Sequence, residues 1–389
     1  MRGITSTVVL AAWTSSVALG CACEGNVPSL DGGPLDAAPL DGSLEDAGPD
    51  AAGDGGEVPL PPCGTEVASW AAMQVEYPGQ VRHAVRAREG TRTSLVLVEA
   101  GDPVAPLRLR EFDEGAPTPR VAADVVLAGT DGMRPLAAAR DTLRIATLAV
   151  APGGASHVLV VHDPGGGLLS RADVALSGAS KVSVALRATR VGLVVPTSDV
   201  DARVEVRDVA GGEPLVSEVR ARTVEASVGL SRGLFAFVAA SADDAGPSML
   251  YGLDDLGVIP TLPVGARLQA PVWDGATVAG LVGETVLVRH LGGREEVRAA
   301  PAMAAMPVAA ISIADGPHGA VIARWSASQV LLSPERDGAS VWVPFDVASA
   351  HHGMAETSPG RVGAFVLDGP VESGSTLRWV GLSCALPAP

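Results

Sequence analysis

Apolar and polar residues alternate with period two in short stretches along the C-terminal four-fifths of this chain. Val182, Val184 and Leu186 alternate with Ser183, Ala185 and Arg187, and Val204 and Val206 with Arg203, Glu205 and Arg207. Leu107 and Leu109 repeat the pattern against Arg108 and Arg110. Each stretch predicts a β-strand with one face on a core and the other toward water. Between them lie nearly continuous apolar runs, Leu234-Phe235-Ala236-Phe237-Val238 and Ala320-Val321-Ile322-Ala323, which suit strands covered on both faces. Gly and Pro punctuate the sequence at short intervals, and no segment carries a sustained helical stripe. The pattern predicts an all-β fold.

The apolar strands recur. They begin near Ser94, Leu143, Val191, Gly233, Thr277, Ala320 and Val362, at intervals of roughly 42 to 49 residues. Downstream of most lies a half-exposed strand and then a tight turn rich in Asp and Gly. These turns read Asp113-Glu114-Gly115, Asp163-Pro164-Gly165, Asp208-Val209-Ala210-Gly211, Asp254-Asp255-Leu256-Gly257, Leu291-Gly292-Gly293 and Arg336-Asp337-Gly338. Asp supplies local side-chain caps and Gly supplies positive φ, as hairpin turns require. Seven units with room for four short antiparallel strands each resemble a seven-bladed β-propeller over residues 64–384. The resemblance lies in period and turn chemistry; the Trp-Asp endings, kelch double glycines and sialidase Asp boxes of named propeller families do not recur here. A string of two or three β-sandwiches is the competing architecture.

The resemblance implies a closure. Six units have a turn between their third and fourth strands, whereas Thr376 to Leu382 runs directly into Ser383-Cys384. Cys63 introduces a spare β-like segment, Thr65 to Trp70, before the first unit. If that segment completes the last blade, the ring closes between N- and C-terminal strands. Cys63 then meets Cys384 as a disulfide, and Trp70 falls near Trp379. Two free thiols, or pairing with Cys21 or Cys23, are the alternatives.

The first 62 residues differ from everything after them. Arg2 precedes a mostly apolar run from Ile4 to Leu19, too short and too mixed with Ser and Thr for a membrane span, and Ala18-Leu19-Gly20 precede Cys21. This segment resembles the signal peptide and lipobox of bacterial lipoproteins, with Ala18 where such signals usually carry Leu. The resemblance implies export, a signal peptide over 1–20, lipid attachment at Cys21 and, with Ala22 after the cysteine, an outer-membrane anchor. Ordinary cleavage and secretion is the alternative. Residues 21–62 then read as the lipidated cysteine and an acidic Gly/Pro/Asp/Ala linker, and 63–389 as the β domain. The linker carries nine carboxylates (Glu24, Asp31, Asp36, Asp41, Glu45, Asp46, Asp50, Asp54 and Glu57) and no Lys or Arg. With so little apolar surface it is expected to be disordered. The spacing of Asp46, Asp50 and Asp54 does not match a calcium loop.

Composition narrows function without naming it. The formal net charge is −16, and no basic block is present, which excludes phosphate collection by counterion release and hence nucleic acid as a partner. Four cysteines are too few for a disulfide-dense scaffold but suit one staple in an oxidising compartment. Gly229-Leu230-Ser231-Arg232-Gly233 matches the G-x-S-x-G elbow, but the apolar strand that follows makes it a hairpin turn. His351-His352 would point to opposite faces of a strand, with no further ligands at metal spacing. Catalytic residues, metal ligands and cofactors are therefore expected to be none. Six acidic residues that follow the apolar second strand of a unit (Asp102, Asp199, Asp201, Asp243, Asp244 and Asp368) could form a rim for Ca²⁺ or a cationic partner; the competing reading is that Asp is a good turn residue. Aromatics are 3% of the chain, which leaves little for stacking on sugars. The expectation is a membrane-anchored envelope lipoprotein that binds or scaffolds another protein. A degenerate hydrolase or lyase with a site at the axial mouth, or a periplasmic ligand-binding module, are the alternatives.

Overall fold

The computed structural model describes residues 63–64, 81–89, 92–99, 104–112, 120–176, 182–187, 189–198, 201–231, 234–241, 249–254, 257–263, 268–274, 277–283, 285–290, 295–299, 311–335, 342–347, 350–369 and 376–386. All belong to one unit, Pro59–Pro389. Among the described residues every regular element is a β-strand.

The strands form antiparallel meanders, each pairing with its sequence neighbour. The first sheet orders β1 (Val81–Glu89), β2 (Arg92–Glu99), β3 (Arg108–Phe112) and β4 (Val121–Val126). The second has β5 (Arg134–Arg140), β6 (Ile145–Val150), β7 (His157–His162) and β8 (Leu168–Val174). A seven-stranded sheet follows, with β9 (Ser183–Arg187), β10 (Arg190–Pro196), β11 (Asp201–Asp208), β12 (Leu215–Ser231), β13 (Leu234–Ser241), β14 (Met249–Asp254) and β15 (Gly257–Pro263). Then come a sheet of β16 (Gln269–Asp274), β17 (Thr277–Val282), β18 (Thr285–His290) and β19 (Glu295–Ala299), and one of β20 (Ile311–Gly316), β21 (Gly319–Trp325), β22 (Gln329–Ser333) and β23 (Val343–Asp346). The last has three strands, β24 (Ala350–Ser358), β25 (Arg361–Asp368) and β26 (Thr376–Ser383).

The seven apolar runs of the sequence are β2, β6, β10, β13, β17, β21 and β25, each the second strand of a meander. The six Asp/Gly-rich stretches all fall between strands paired as hairpins, from β3–β4 to β22–β23. Seven units were expected, and six separate sheets are present because β12 runs on for 17 residues. Its start, Leu215–Arg220, pairs with β11, and its later part, Ala221–Ser231, pairs with β13 across a register shift. No turn breaks the chain there, so one strand serves two meanders.

Successive sheets pack face to face. Leu107 and Leu109 of the first meet Ile145 and Ala149 of the second, and Ala146 and Leu148 meet Val191 and Leu193 of the third. Val286 and Val288 meet Ile311 and Ile313, and Val321 and Ala323 meet Val362 and Ala364. The leading strands touch in chain order, β1 on β5, β5 on β9, β9 on β12, β12 on β16, β16 on β20 and β20 on β24. β24 also touches β1, and Phe112 lies against Phe365 of β25 with ring centroids 4.8 Å apart.

Sandwiching each sheet between two others changes one expectation. Glu205 reads from the period-two pattern as solvent-facing, yet it is 2% exposed, with Arg203 Nη2 at 2.7 Å and Arg207 Nη2 at 2.6 Å. Arg110 is 5% exposed and pairs with Asp124 at 3.1 Å. The polar face of these strands is turned toward a neighbouring sheet, so its charges survive only as pairs.

Candidate functional site

The two termini of the described chain meet at Cys63 and Cys384. Their sulfurs are bonded, with Cα atoms 3.8 Å apart, inside the roughly 7 Å a disulfide can bridge. The residues form an antiparallel bridge, and the Gly64 N–H donates to Ser383 O at 2.8 Å. The Cys384 N–H donates to Gly360 O at 2.8 Å, and the Gly360 N–H donates to Nε2 of the buried His318 at 3.0 Å. His318 lies beside both sulfurs in a ligand-like group. The disulfide removes the thiolates that a metal would need. Trp70, expected beside Trp379, lies outside the described residues.

The other predicted positions among the described residues are spread over separate strands. Ser231 ends β12 and pairs with Leu234 of β13, so a paired strand follows the serine where a nucleophile elbow needs a helix; Arg232 and Gly233 lie outside the described residues. His351 and His352 lie in β24 at an irregularity in its register with β25. Of the acidic rim, Asp102, Asp199, Asp243 and Asp244 lie outside the described residues. Asp201 begins β11 as an exposed turn residue, its carboxylate accepting from Ser198 Oγ at 2.8 Å and its carbonyl from the Thr197 N–H at 3.0 Å. Asp368 ends β25, is 5% exposed, and lies 3.1 Å from Arg378 Nε. Lipid attachment at Cys21 concerns a residue outside the described ones.

Buried polar clusters are what the pattern did not reveal. In the last sheet, Glu356 is fully buried; Arg361 Nε donates to Oε1 at 3.2 Å, Trp379 Nε1 to Oε2 at 3.1 Å, and Ser358 Oγ also donates to it. Where β16–β19 abuts β20–β23, Thr277 Oγ1 donates to Asp315 Oδ2 at 2.6 Å and sits 3.0 Å from His290 Nδ1. The fully buried Arg298 donates Nε and Nη2 to the two oxygens of Glu296, at 2.8 and 3.0 Å, and Nη1 to Ser333 O at 2.6 Å. Glu335 Oε2 accepts from the Ala320 N–H at 2.8 Å. The sequence signal was weak: Glu296 and Arg298 lie two apart, as same-face neighbours on a strand do, while Glu335 comes from a different sheet.

His162, at the end of β7, is fully buried and donates Nε2–H to Ala128 O at 2.9 Å. Burial lowers its pKa below the ordinary histidine value, against smaller raising effects from that bond and from Asp163. Burial likewise lowers the Arg324 pKa.

The outer surface shows a different feature. Val121 and Val126 of β4, Leu168 and Leu169 of β8, Leu215 and Val216 of β12, and Val297 of β19 are 41 to 58% exposed. Each lies on the strand that begins after a third-to-fourth hairpin. Val126 and Leu168 belong to adjoining sheets linked there by the Ala128 N–H donating to Gly166 O at 2.9 Å.

Antiparallel meanders packed face to face, with their leading strands in serial contact, define an all-β propeller. No protein-family model and no curated protein matches this chain. Among solved structures, it is similar to Kluyvelomyces marxianus Hsv2 at 11% identity, covering 78% of this chain and 97% of that one, with a TM-score of 0.49. It is similar to BBS1N, solved in complex with ARL6DN, at 14% identity, with coverage of 84% and 92% and a TM-score of 0.42. It is also similar to a subtype N10 neuraminidase-like protein of A/little yellow-shouldered bat/Guatemala/060/2010, at 10% identity, with coverage of 85% and 98% and a TM-score of 0.41.

Proposed function

We propose that this protein is an exported, lipid-anchored propeller that binds or scaffolds another protein of the cell envelope, without catalysis of its own. In this reading the chain is cut before Cys21, acylated there and held at the outer membrane, and residues 21–62 tether the propeller to it. Two or three acyl chains give the stable anchor that one chain does not. The Cys63–Cys384 disulfide supports export, because such bonds persist in oxidising compartments.

The ring has seven blades, with β12 divided between the third and fourth. Its first part is the outer strand of β9–β11, and its later part the inner strand before β13–β15. The contact of β24 with β1, Phe112 against Phe365 and the Cys63–Cys384 bridge support closure between the first and last blades.

The observation that supports binding is the set of exposed apolar side chains on the outer strands. Val126, Leu168 and Leu169 are 43 to 50% exposed, and a partner surface that covered them would gain their apolar burial. A photo-reactive residue at Leu169, in cells, is expected to cross-link a discrete envelope protein. The double variant Leu168→Glu/Leu169→Glu should abolish that cross-link with an unchanged unfolding midpoint. Cross-linking to lipid alone, or a protein adduct that the double variant leaves intact, would overturn the reading.

A further inference from the structure

We propose that His290, Glu296 and Glu335 bind a divalent transition-metal cation at the junction between the sheets β16–β19 and β20–β23. His290 closes β18 and Glu296 lies in β19, whereas Glu335 follows β22 in the neighbouring sheet. One ligand atom from each lies within 4.8 Å of the others. A cation with bonds of about 2.0–2.2 Å would close that gap by drawing the side chains inward about an ångström.

The imidazole is prepared for this. The Thr277 hydroxyl gives its single proton to Asp315 Oδ2, at 2.6 Å, so toward His290 it can only accept. His290 Nδ1 therefore carries the hydrogen, 3.0 Å away, and in the neutral ring Nε2 holds a lone pair. Nε2 is shielded from solvent and, among the described residues, meets no hydrogen-bond donor. A histidine whose Nδ1 is tied through a hydroxyl to a carboxylate, and whose Nε2 is left to bind, is arranged as metal-bound histidines are.

Both carboxylates are also oriented in advance. Arg298 holds Glu296 through two hydrogen bonds and is itself anchored on Ser333 O. Glu335 is seated on the Ala320 N–H beside Gly319, where a Cβ would come within 2.2 Å of Oε2. That glycine, at φ 70°, leaves the room the carboxylate occupies. One nitrogen and two oxygens favour Zn²⁺, Co²⁺ or Mn²⁺ over Ca²⁺ and Mg²⁺, which take oxygen sets. Three protein ligands leave a fourth position for water. The ion would join two sheets that apolar packing and hydrogen bonds already hold together.

The test is titration of the full chain, stripped with chelator, with Zn²⁺ or Co²⁺ alone. One equivalent of Co²⁺ is expected to give a saturable visible spectrum that Zn²⁺ displaces, and Zn²⁺ to raise the unfolding midpoint. His290→Gln and Glu335→Gln should each weaken binding at least about tenfold while leaving the metal-free midpoint close to the parent's. Thr277→Val keeps all three ligands and should weaken binding about 10- to 100-fold through loss of ring orientation, which keeps the test decisive if a ligand variant fails to fold. Absence of saturable binding of either ion up to about millimolar would overturn the proposal. So would binding that survives both His290→Gln and Thr277→Val, since the metal would then sit on the acidic segment or on cysteines.

Discussion

Replacing Cys63 or Cys384 by Ser removes the disulfide between the two ends of the described domain, and the cost follows from the length of chain it encloses. The sequence separation is 321 residues. The chain-entropy model assigns such a loop about 5–6 kcal/mol at 25 °C, and removal of native bridges typically costs about 2–5 kcal/mol. Unfolding of roughly 330 residues carries an entropy near 0.7 kcal/mol/K, so the loss should appear as a fall of about 3–8 °C in the melting midpoint. Cys63→Ser, Cys384→Ser and the double variant should fall equally, because each removes the same bond. Differential scanning calorimetry under non-reducing conditions measures the shift, and non-reducing peptide mapping of the parent should recover Cys63 joined to Cys384. A midpoint within 1 °C of the parent in all three variants would refute the reasoning. So would a map that joins Cys63 to Cys21 or Cys23.

Arg361→Leu should cost about 3–5 kcal/mol in urea unfolding, because it strands the fully buried Glu356; a loss below about 1 kcal/mol would contradict the arrangement. Gly166→Ala should destabilise by more than about 2 kcal/mol, since φ is 85° and a Cβ would lie 2.1 Å from Val126 O, whereas Gly154→Ala, at φ 78° with open space around it, should lose only about 1–2 kcal/mol. Equal losses at the two glycines would refute the packing argument. Burial holds the His162 pKa below that of the unfolded chain, so the unfolded state takes up a proton first as pH falls. Its contribution to stability is complete above about pH 6.5 and declines as pH drops toward the folded-state pKa. His162→Gln should flatten that part of the stability–pH curve, and an unchanged slope would show that another group titrates.

Period and turn chemistry were legible from residues alone. Each of the seven apolar runs became a second strand and each Asp/Gly stretch a hairpin connection, because both signals are local: a strand buried on two faces needs continuous apolar side chains, and a tight turn needs positive φ or a side-chain cap. The missing seventh turn pointed to the Cys63–Cys384 bridge for the same reason, since a strand without a hairpin partner must find one elsewhere in the chain. What tertiary structure decided is which polar residues are inside. Glu205, Arg298 and Glu356 carry the same strand-periodic signature as solvent-facing residues, and only the arrival of a second sheet, distant in sequence, encloses them. The same holds for the meeting of His290 with Glu335, which lie far apart in the sequence and in different sheets. Alternation along one strand specifies two faces; whether the polar face meets water or another sheet is decided by how the sheets pack.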